Sequence, residues 1–210
     1  MITGISFSYA ENSLQTRGLY LLQDIAGINT VSDMRQFDMP ICNSNKSDGV
    51  VPESVEEFVK TLAESDILVF AISEATSHYS AGFKNAMDWL VVKSKFNARL
   101  GTDYAITDKP IFVVTFTPTK KNEANNGGRH FDMTVELLEK LGANVVHTEV
   151  IHDAWHTIVP GNYDPVNNLS KEILHFSKAY KPIIKESIED TGSPGWLDLY
   201  NEWDSKWKNK

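Results

Sequence analysis

The sequence predicts a doubly wound α/β domain, with one parallel five-stranded sheet in the order 2-1-3-4-5 between two layers of helices. Three observations carry this. Short apolar runs alternate with stretches of helical periodicity, giving the order β-α-β-α-β-α-β-α-β-α, the pattern of right-handed crossovers onto a parallel sheet. The two central runs, ILVFAI at 67–72 and IFVVTF at 111–116, are almost continuously apolar, as strands covered on both faces are. The 210 residues, 41% of them hydrophobic, suffice for the core of one large domain.

The first strand is expected at 2–7. The first helix follows from Leu14, Gly18, Leu21, Leu22 and Ile25, which share one face. A weaker apolar run at 28–32 gives the second strand. Val55, Phe58, Val59 and Leu62 mark the second helix, and 67–72 is the third strand. Phe83, Ala86, Met87, Leu90 and Val91 follow the i, i+3, i+4, i+7, i+8 template of a third helix. After the strand at 111–116, Val135, Leu138 and Leu141 mark a helix that Gly142 should end. The fifth strand is expected at 145–151. Leu169, Ile173, Phe176, Tyr180 and Ile184 mark a last helix, which Pro182 should kink or end. No repeat or linker divides residues 1–190. Residues 191–210 form an aromatic appendage with Trp196, Trp203 and Trp207.

Charge and cysteine count exclude several classes. A formal net charge of −8 argues against a non-specific nucleic-acid binder. The single cysteine, Cys42, excludes an internal disulfide framework and a multi-cysteine metal site. Beside Pro40 and Ile41 it reads as a structural thiol. The N-terminal stretch MITGISFSYAENS reads as a strand, not a signal peptide, and no run approaches the roughly 18 apolar residues of a membrane span. The expected location is cytoplasmic, and the sequons at Asn45 and Asn168 read as chance matches. His152-x3-His156 beside Asp153 has a spacing that would bind metal on a helix. The segment reads instead as strand then loop, so no metal is expected. No Gly-x-Ser-x-Gly elbow supplies a hydrolase nucleophile, and no protein side chain is assigned a catalytic role.

In an open α/β sheet ligands bind beyond the carboxyl ends of the strands. Three loops should meet there, at 8–13, 73–82 and 117–129. The first reads SYAENS and opens a helix. Its hydroxyls and amides, with the unsatisfied N–H groups of a helix start, suit a phosphate. Ser13 serves equally as a plain N-cap, and Glu11 would repel a phosphate if it pointed inward. The second loop, from Ser73, exceeds the usual 2–6 residues of a βα connection. In the third, Gly127-Gly128 would let backbone approach a flat ligand, or simply make a mobile loop.

These segments together resemble a known family. FKNAMDWL at 83–90 is similar to the LKNAIDWL-type segment of the NADPH-dependent FMN reductases, which have a flavodoxin-like fold, and stands at the same place after the third strand. DMRQFDMPICN at 33–43 resembles the family's stretch around Leu-Pro-Leu. AESDILVF at 63–70 resembles its approach to the third strand, and Gly127-Gly128-Arg129 resembles the start of its fourth helix. The resemblance spans residues 1–185. It implies FMN as cofactor, NAD(P)H as hydride donor, and a flavin, quinone or other small molecule as acceptor.

Carried over residue by residue, the phosphate loop Ser-x4-Ser-x-Asn falls on Ser8 and Ser13, with Gln15 where the family has Asn and Glu11 and Asn12 between. Ala10 stands where the family often has Arg. The ring loop falls on Ser73, Glu74, Ala75, Thr76 and Ser77, where Ala75-Thr76 replaces Tyr-Asn and Tyr79 is a shifted alternative. Lys84 and Asn85 open the helix behind it, and Thr117, Gly127 and Gly128 complete the implied site. The family also implies a homodimer or homotetramer, for which the Trp-rich tail offers a contact. Two further readings stay open on these residues: a flavodoxin-like electron carrier without reductase activity, and a flavin-free relative.

Overall fold

The computed structural model describes residues 1–43, 51–96, 104–121 and 127–180. The five main strands are β1 (Ile2–Ser6), β2 (Thr30–Asp33), β3 (Ile67–Ala71), β6 (Pro110–Phe116) and β7 (Asn144–Ile151), all parallel, in the order β2-β1-β3-β6-β7. This is the 2-1-3-4-5 topology expected of a flavodoxin-like sheet. A two-stranded antiparallel ribbon, β4 (Glu74–Ala75) and β5 (His78–Tyr79), stands apart from it. The helices are α1 (Leu14–Ala26), α2 (Met34–Phe37), α3 (Glu53–Glu64), α4 (Ala81–Phe96), α5 (Phe131–Lys140), α6 (Ala154–Thr157) and α7 (Asn167–Ala179).

Alternation along the strands divides the apolar side chains between the two faces. Ile5, Leu68, Phe70, Ile72, Ile111 and Val113 join one core with Phe58 and Leu62 of α3 and Phe83 and Leu90 of α4. Ile2, Val69, Ala71, Phe112, Val114 and Phe116 join the other with Leu19 and Leu22 of α1 and Leu169 and Ile173 of α7. A helix layer on each face is what turned the central strands into unbroken apolar runs.

The buried stripe of α1 runs through Gln15, Gly18, Leu19, Leu22 and Ala26. Leu14, Leu21 and Ile25, expected on the same face, are only partly buried. Gly18 and Leu22 of the expected face do lie on this stripe, which also holds Gln15, a polar residue that hydrophobic periodicity does not register. Gly142, at φ 78°, follows α5 and Leu141 as expected. The last helix stops at Ala179, ahead of Pro182. Ile184, Pro182, residues 191–210 and the sequon at Asn45 lie outside the described residues.

Candidate functional site

Ser6, Ala71 and Val114 are neighbours across β1, β3 and β6, so the loops that follow these strands leave the sheet side by side. Hydrogen bonds tie them together. Ser80 Oγ donates to Phe7 O at 2.9 Å, joining the ribbon to the first loop. The Gln15 amide clasps the backbone of Phe116, donating to its O at 2.8 Å and accepting from its N–H at 3.0 Å. That clasp fixes α1 against the end of β6.

In the first loop Ser8 and Ser13 are half-buried, and Glu11 and Asn12 are exposed. Ser13 is the N-cap of α1. Its Oγ accepts from Thr16 N–H at 3.1 Å and lies 2.9 Å from Thr16 Oγ1, which itself donates to Ser6 Oγ at 2.9 Å. Thr16 has one proton and gives it to Ser6, so the Ser13 hydroxyl donates to Thr16. Ser8 Oγ accepts from Ala10 N–H at 3.2 Å. No acid lies in the first turn of α1, so the unsatisfied N–H groups there present a positive end. Arg17, one turn along, donates Nε–H to Asn12 O at 3.2 Å. The phosphate-suited elements are therefore the backbone amides, the Ser8 hydroxyl and a nearby guanidinium, while Gln15 is committed to Phe116.

The second loop is built rather than irregular. Thr76 and Ser77 join β4 to β5 with φ of 52° and 60°. Two successive positive φ values are what a tight two-residue hairpin requires, usually met by Asn-Gly. A β-branched Thr there is strained. The ribbon folds Tyr79 back onto Phe83, ring centroids 5.2 Å apart, and leaves Ala75, Thr76 and Ser77 exposed at the tip and Ser73 half-buried at the base.

The third loop meets the ribbon. Glu74 Oε2 accepts from Arg129 N–H at 3.3 Å, and Arg129 Nη1 donates to Ser77 Oγ at 3.0 Å. Gly127 and Gly128 have φ of 64° and 66°, and a Cβ on either would stand 2.9 or 2.7 Å from a Val150 methyl. Both glycines are thus required by the chain's own packing. Thr117 is anchored through its backbone, its N–H on Ile151 O and its O on Ala154 N–H, both at 2.9 Å.

Behind these loops lies His130, fully buried. Its Nε2 is 2.7 Å from Thr115 Oγ1 and its Nδ1 3.0 Å from Thr134 Oγ1. Thr115 gives its proton to Ile72 O at 2.9 Å, so Nε2 carries the imidazole proton and Nδ1 accepts from Thr134. Burial pushes the His130 pKa down to about 4; the Glu74 carboxylate opposes the shift and His78 adds to it. Neutral His130 thereby links the ends of β3 and β6 to the start of α5.

The residues at the start of α4 do other work. Asn85 accepts from Cys42 N–H at 2.7 Å and donates to Pro40 O at 3.0 Å, and Trp89 Nε1–H donates to the same Pro40 O at 2.7 Å. Lys84 pairs with Asp88 on the exposed face of its own helix. The segment KNAMDW therefore staples the loop after α2 to α4. The structure brings together Ser8, Ser13, Glu74, Ser77, Gly127 and Gly128 at the carboxyl edge, and turns Gln15, Lys84 and Asn85 to structural bonds. Sequence reasoning missed Arg17, His130 and Tyr9, whose ring edge lies 2.9 Å from where a Gly82 Cβ would be. Burial raises the Tyr9 pKa, which a hydrogen bond to Asn85 partly offsets and Asp38 reinforces.

His156 Nδ1 lies 2.6 Å from Asp153 Oδ1, and His152 turns instead to Thr119 O at 3.3 Å. Residues 154–157 form a short helix where a loop was expected. Among the described residues no three His, Cys, Asp or Glu side chains stand close enough to hold a metal ion. No helix among them is long and apolar enough to cross a membrane.

Comparison with curated proteins gave no match. Among solved structures, the chain is similar in fold to the flavoenzyme NAD(P)H:(acceptor) oxidoreductase FerB from Paracoccus denitrificans, with TM-score 0.61 and 19% identity over 85% of this chain and 93% of that one. It is similar to the apo form of an NADH:FMN oxidoreductase, EMOB, with TM-score 0.57 and 16% identity over 92% and 95% of the two chains. It is also similar to an NAD(P)H:quinone oxidoreductase from Methanothermobacter marburgensis, with TM-score 0.57 and 16% identity over 84% and 94%. At these identities the likeness shows the fold. The family follows from a sequence model, that of the NADPH-dependent FMN reductases, which matches residues 2–157; the chain belongs to that family, as an oxidoreductase with FMN for its cofactor and NAD(P)H for its electron donor.

Proposed function

We propose that the protein passes a hydride from NAD(P)H, through FMN held at the carboxyl edge of the sheet, to a small acceptor such as a free flavin or a quinone. The observation that carries the placement is the convergence of an acid-free helix N-terminus, that of α1, with a ribbon and a glycine loop bonded to each other. The phosphate of FMN would meet Ser8, the amides at 11–15 and the start of α1. The ring would lie against Ser73–Ser77 and Tyr79 on one side and Thr117 and Gly127–Gly128 on the other. FMN supplies the two-electron chemistry when bound. The chain's part is to hold the ring, exclude water and leave one face open to donor and acceptor in turn. Hydride transfer requires no protein acid, which agrees with a carboxyl edge that holds the buried, neutral His130 behind the loops rather than in them.

FMN added to the purified protein is expected to show saturable fluorescence quenching, and NADH or NADPH is expected to be consumed beyond one equivalent per bound FMN only when an acceptor is present. Ser13→Asp tests the placement. Aspartate caps a helix about as well as serine, and its charge favours the N-terminal end of α1 by roughly 0.3–1 kcal/mol, so the apo-protein should keep its thermal stability. Against a phosphate dianion the same charge is repulsive. FMN affinity should fall tenfold or more, about 1.4 kcal/mol, with little change for riboflavin, which lacks the phosphate. Equal weakening of both flavins, or of neither, would place the phosphate elsewhere.

The reading extends to a cytoplasmic homodimer or homotetramer. The support is the soluble, acidic composition and three tryptophans beyond residue 191, an exposed apolar hazard if left uncovered. Deletion after Thr191 is expected to reduce the particle size seen by light scattering; an unchanged size would remove the tail from the contact.

A further inference from the structure

We propose that Arg17 is the cation that recognises the flavin phosphate, so that this chain selects FMN over unphosphorylated flavin through a side chain one turn inside α1. The inference rests on the placement of the phosphate at the first loop. It starts from an electrostatic need. A phosphate dianion in a chain of net charge −8, with Glu11 in the loop itself, calls for a local positive group, and none of the loop residues 8–13 carries one. The backbone amides and the helix end supply partial charge only.

Arg17 is placed to meet that need. Residues 13 and 17 stand on the same face of α1, and helical side chains lean toward the N-terminus. The bond from Arg17 Nε–H to Asn12 O at 3.2 Å holds the guanidinium plane beside the loop. It uses one of five donors and leaves both Nη groups without a hydrogen bond or ion pair among the described residues. The other described arginines are engaged: Arg35 with the Asp33 carboxylate at 2.7 Å and Arg129 with Ser77 Oγ at 3.0 Å. A half-buried arginine, fixed by a backbone carbonyl and free of carboxylates, retains its full charge and its fork of donors for an oxyanion.

The test compares FMN and riboflavin binding by fluorescence titration in wild type, Arg17→Gln and Arg17→Lys, at low and high salt. Arg17→Gln should weaken FMN about tenfold and leave riboflavin unchanged, with the FMN loss shrinking as salt screens the wild-type contact. Arg17→Lys should recover part of the FMN affinity, since the charge remains but the fork does not. Apo-protein melting temperatures should agree across the three. Equal weakening of both flavins by Arg17→Gln would assign Arg17 to ordering the loop and overturn the proposal. If Arg17→Gln changes neither flavin while Ser13→Asp still weakens FMN selectively, the phosphate is correctly placed and Arg17 is not its partner. If neither substitution discriminates between the flavins, the placement itself fails, and this inference with it.

Discussion

Replacing Gly18 with alanine is expected to destabilise the protein by about 1–3 kcal/mol, the usual penalty for overpacking a core, although the same change in an exposed helix would stabilise it by up to about 1 kcal/mol. The two effects oppose each other, and geometry decides between them. A Cβ on Gly18 would stand 2.2 Å from Phe116 Cζ and 2.3 Å from Cε1, far inside contact distance. The ring has nowhere to retreat: Phe116 is 2% exposed, and its backbone is gripped on both polar atoms by Gln15 from the same helix. Helix and strand must part, or the clasp must break. For a chain of this size the melting temperature should drop roughly 2–4 °C per kcal/mol. FMN affinity should fall too, because Phe116 ends the strand from which the third loop departs. The double variant Gly18→Ala/Phe116→Leu is the check. If the clash is the cause, it should be less destabilised than the sum of the single variants. Strict additivity would mean that the helix accommodates the methyl group by another route.

Gly18 and Phe116 also mark where the sequence stops being legible. The main helices could be read because their burial has a period, the central strands because burial on both faces makes them continuous apolar runs, and the sheet order because alternating strands and helices wind a parallel sheet in few ways. The family could be read from KNAMDW, yet the structure gives that segment a scaffold role: Asn85 and Trp89 hold Pro40 and Cys42. Its signal was genuine, but it was a signal of architecture. The β4–β5 ribbon was not legible, because Thr76-Ser77 lacks the Asn or Gly that marks a two-residue hairpin. Gln15 and His130 were not, because a polar residue whose partners lie 101 or 15 positions away leaves no local pattern. Arg17 was hidden by register, since a motif comparison looks for the phosphate cation at position 10.

His130 should make the protein's stability depend on pH between about 6.5 and 4. Its folded pKa, about 4, lies below the value near 6.5 expected in the unfolded chain. The folded state therefore favours the neutral ring. Above pH 6.5 both states are neutral there and the full contribution is present. As pH falls through 6.5 the unfolded chain takes up a proton that the folded chain refuses, and stability declines until the folded ring protonates near pH 4. The hydrogen bonds explain the refusal: protonation would put a second N–H, on Nδ1, against the Thr134 hydroxyl that now donates to it. Over this window the loss from one group approaches about 1.4 kcal/mol per pH unit. Other histidines and carboxylates titrate nearby, so the informative quantity is the difference from His130→Gln, which keeps a donor and an acceptor but cannot ionise. Urea unfolding at intervals from pH 7.5 to 4 should find the variant less stable at pH 7.5, by about 1–3 kcal/mol for the imperfectly replaced bonds. The gap should narrow as pH falls. Parallel curves would show that His130 is not held neutral in the fold. FMN affinity of the folded wild type should hold through this window and fall below that of the variant only as pH approaches 4, where the folded ring protonates, because His130 supports, through Thr115 and Ile72 O, the strand ends from which the ribbon and the glycine loop arise.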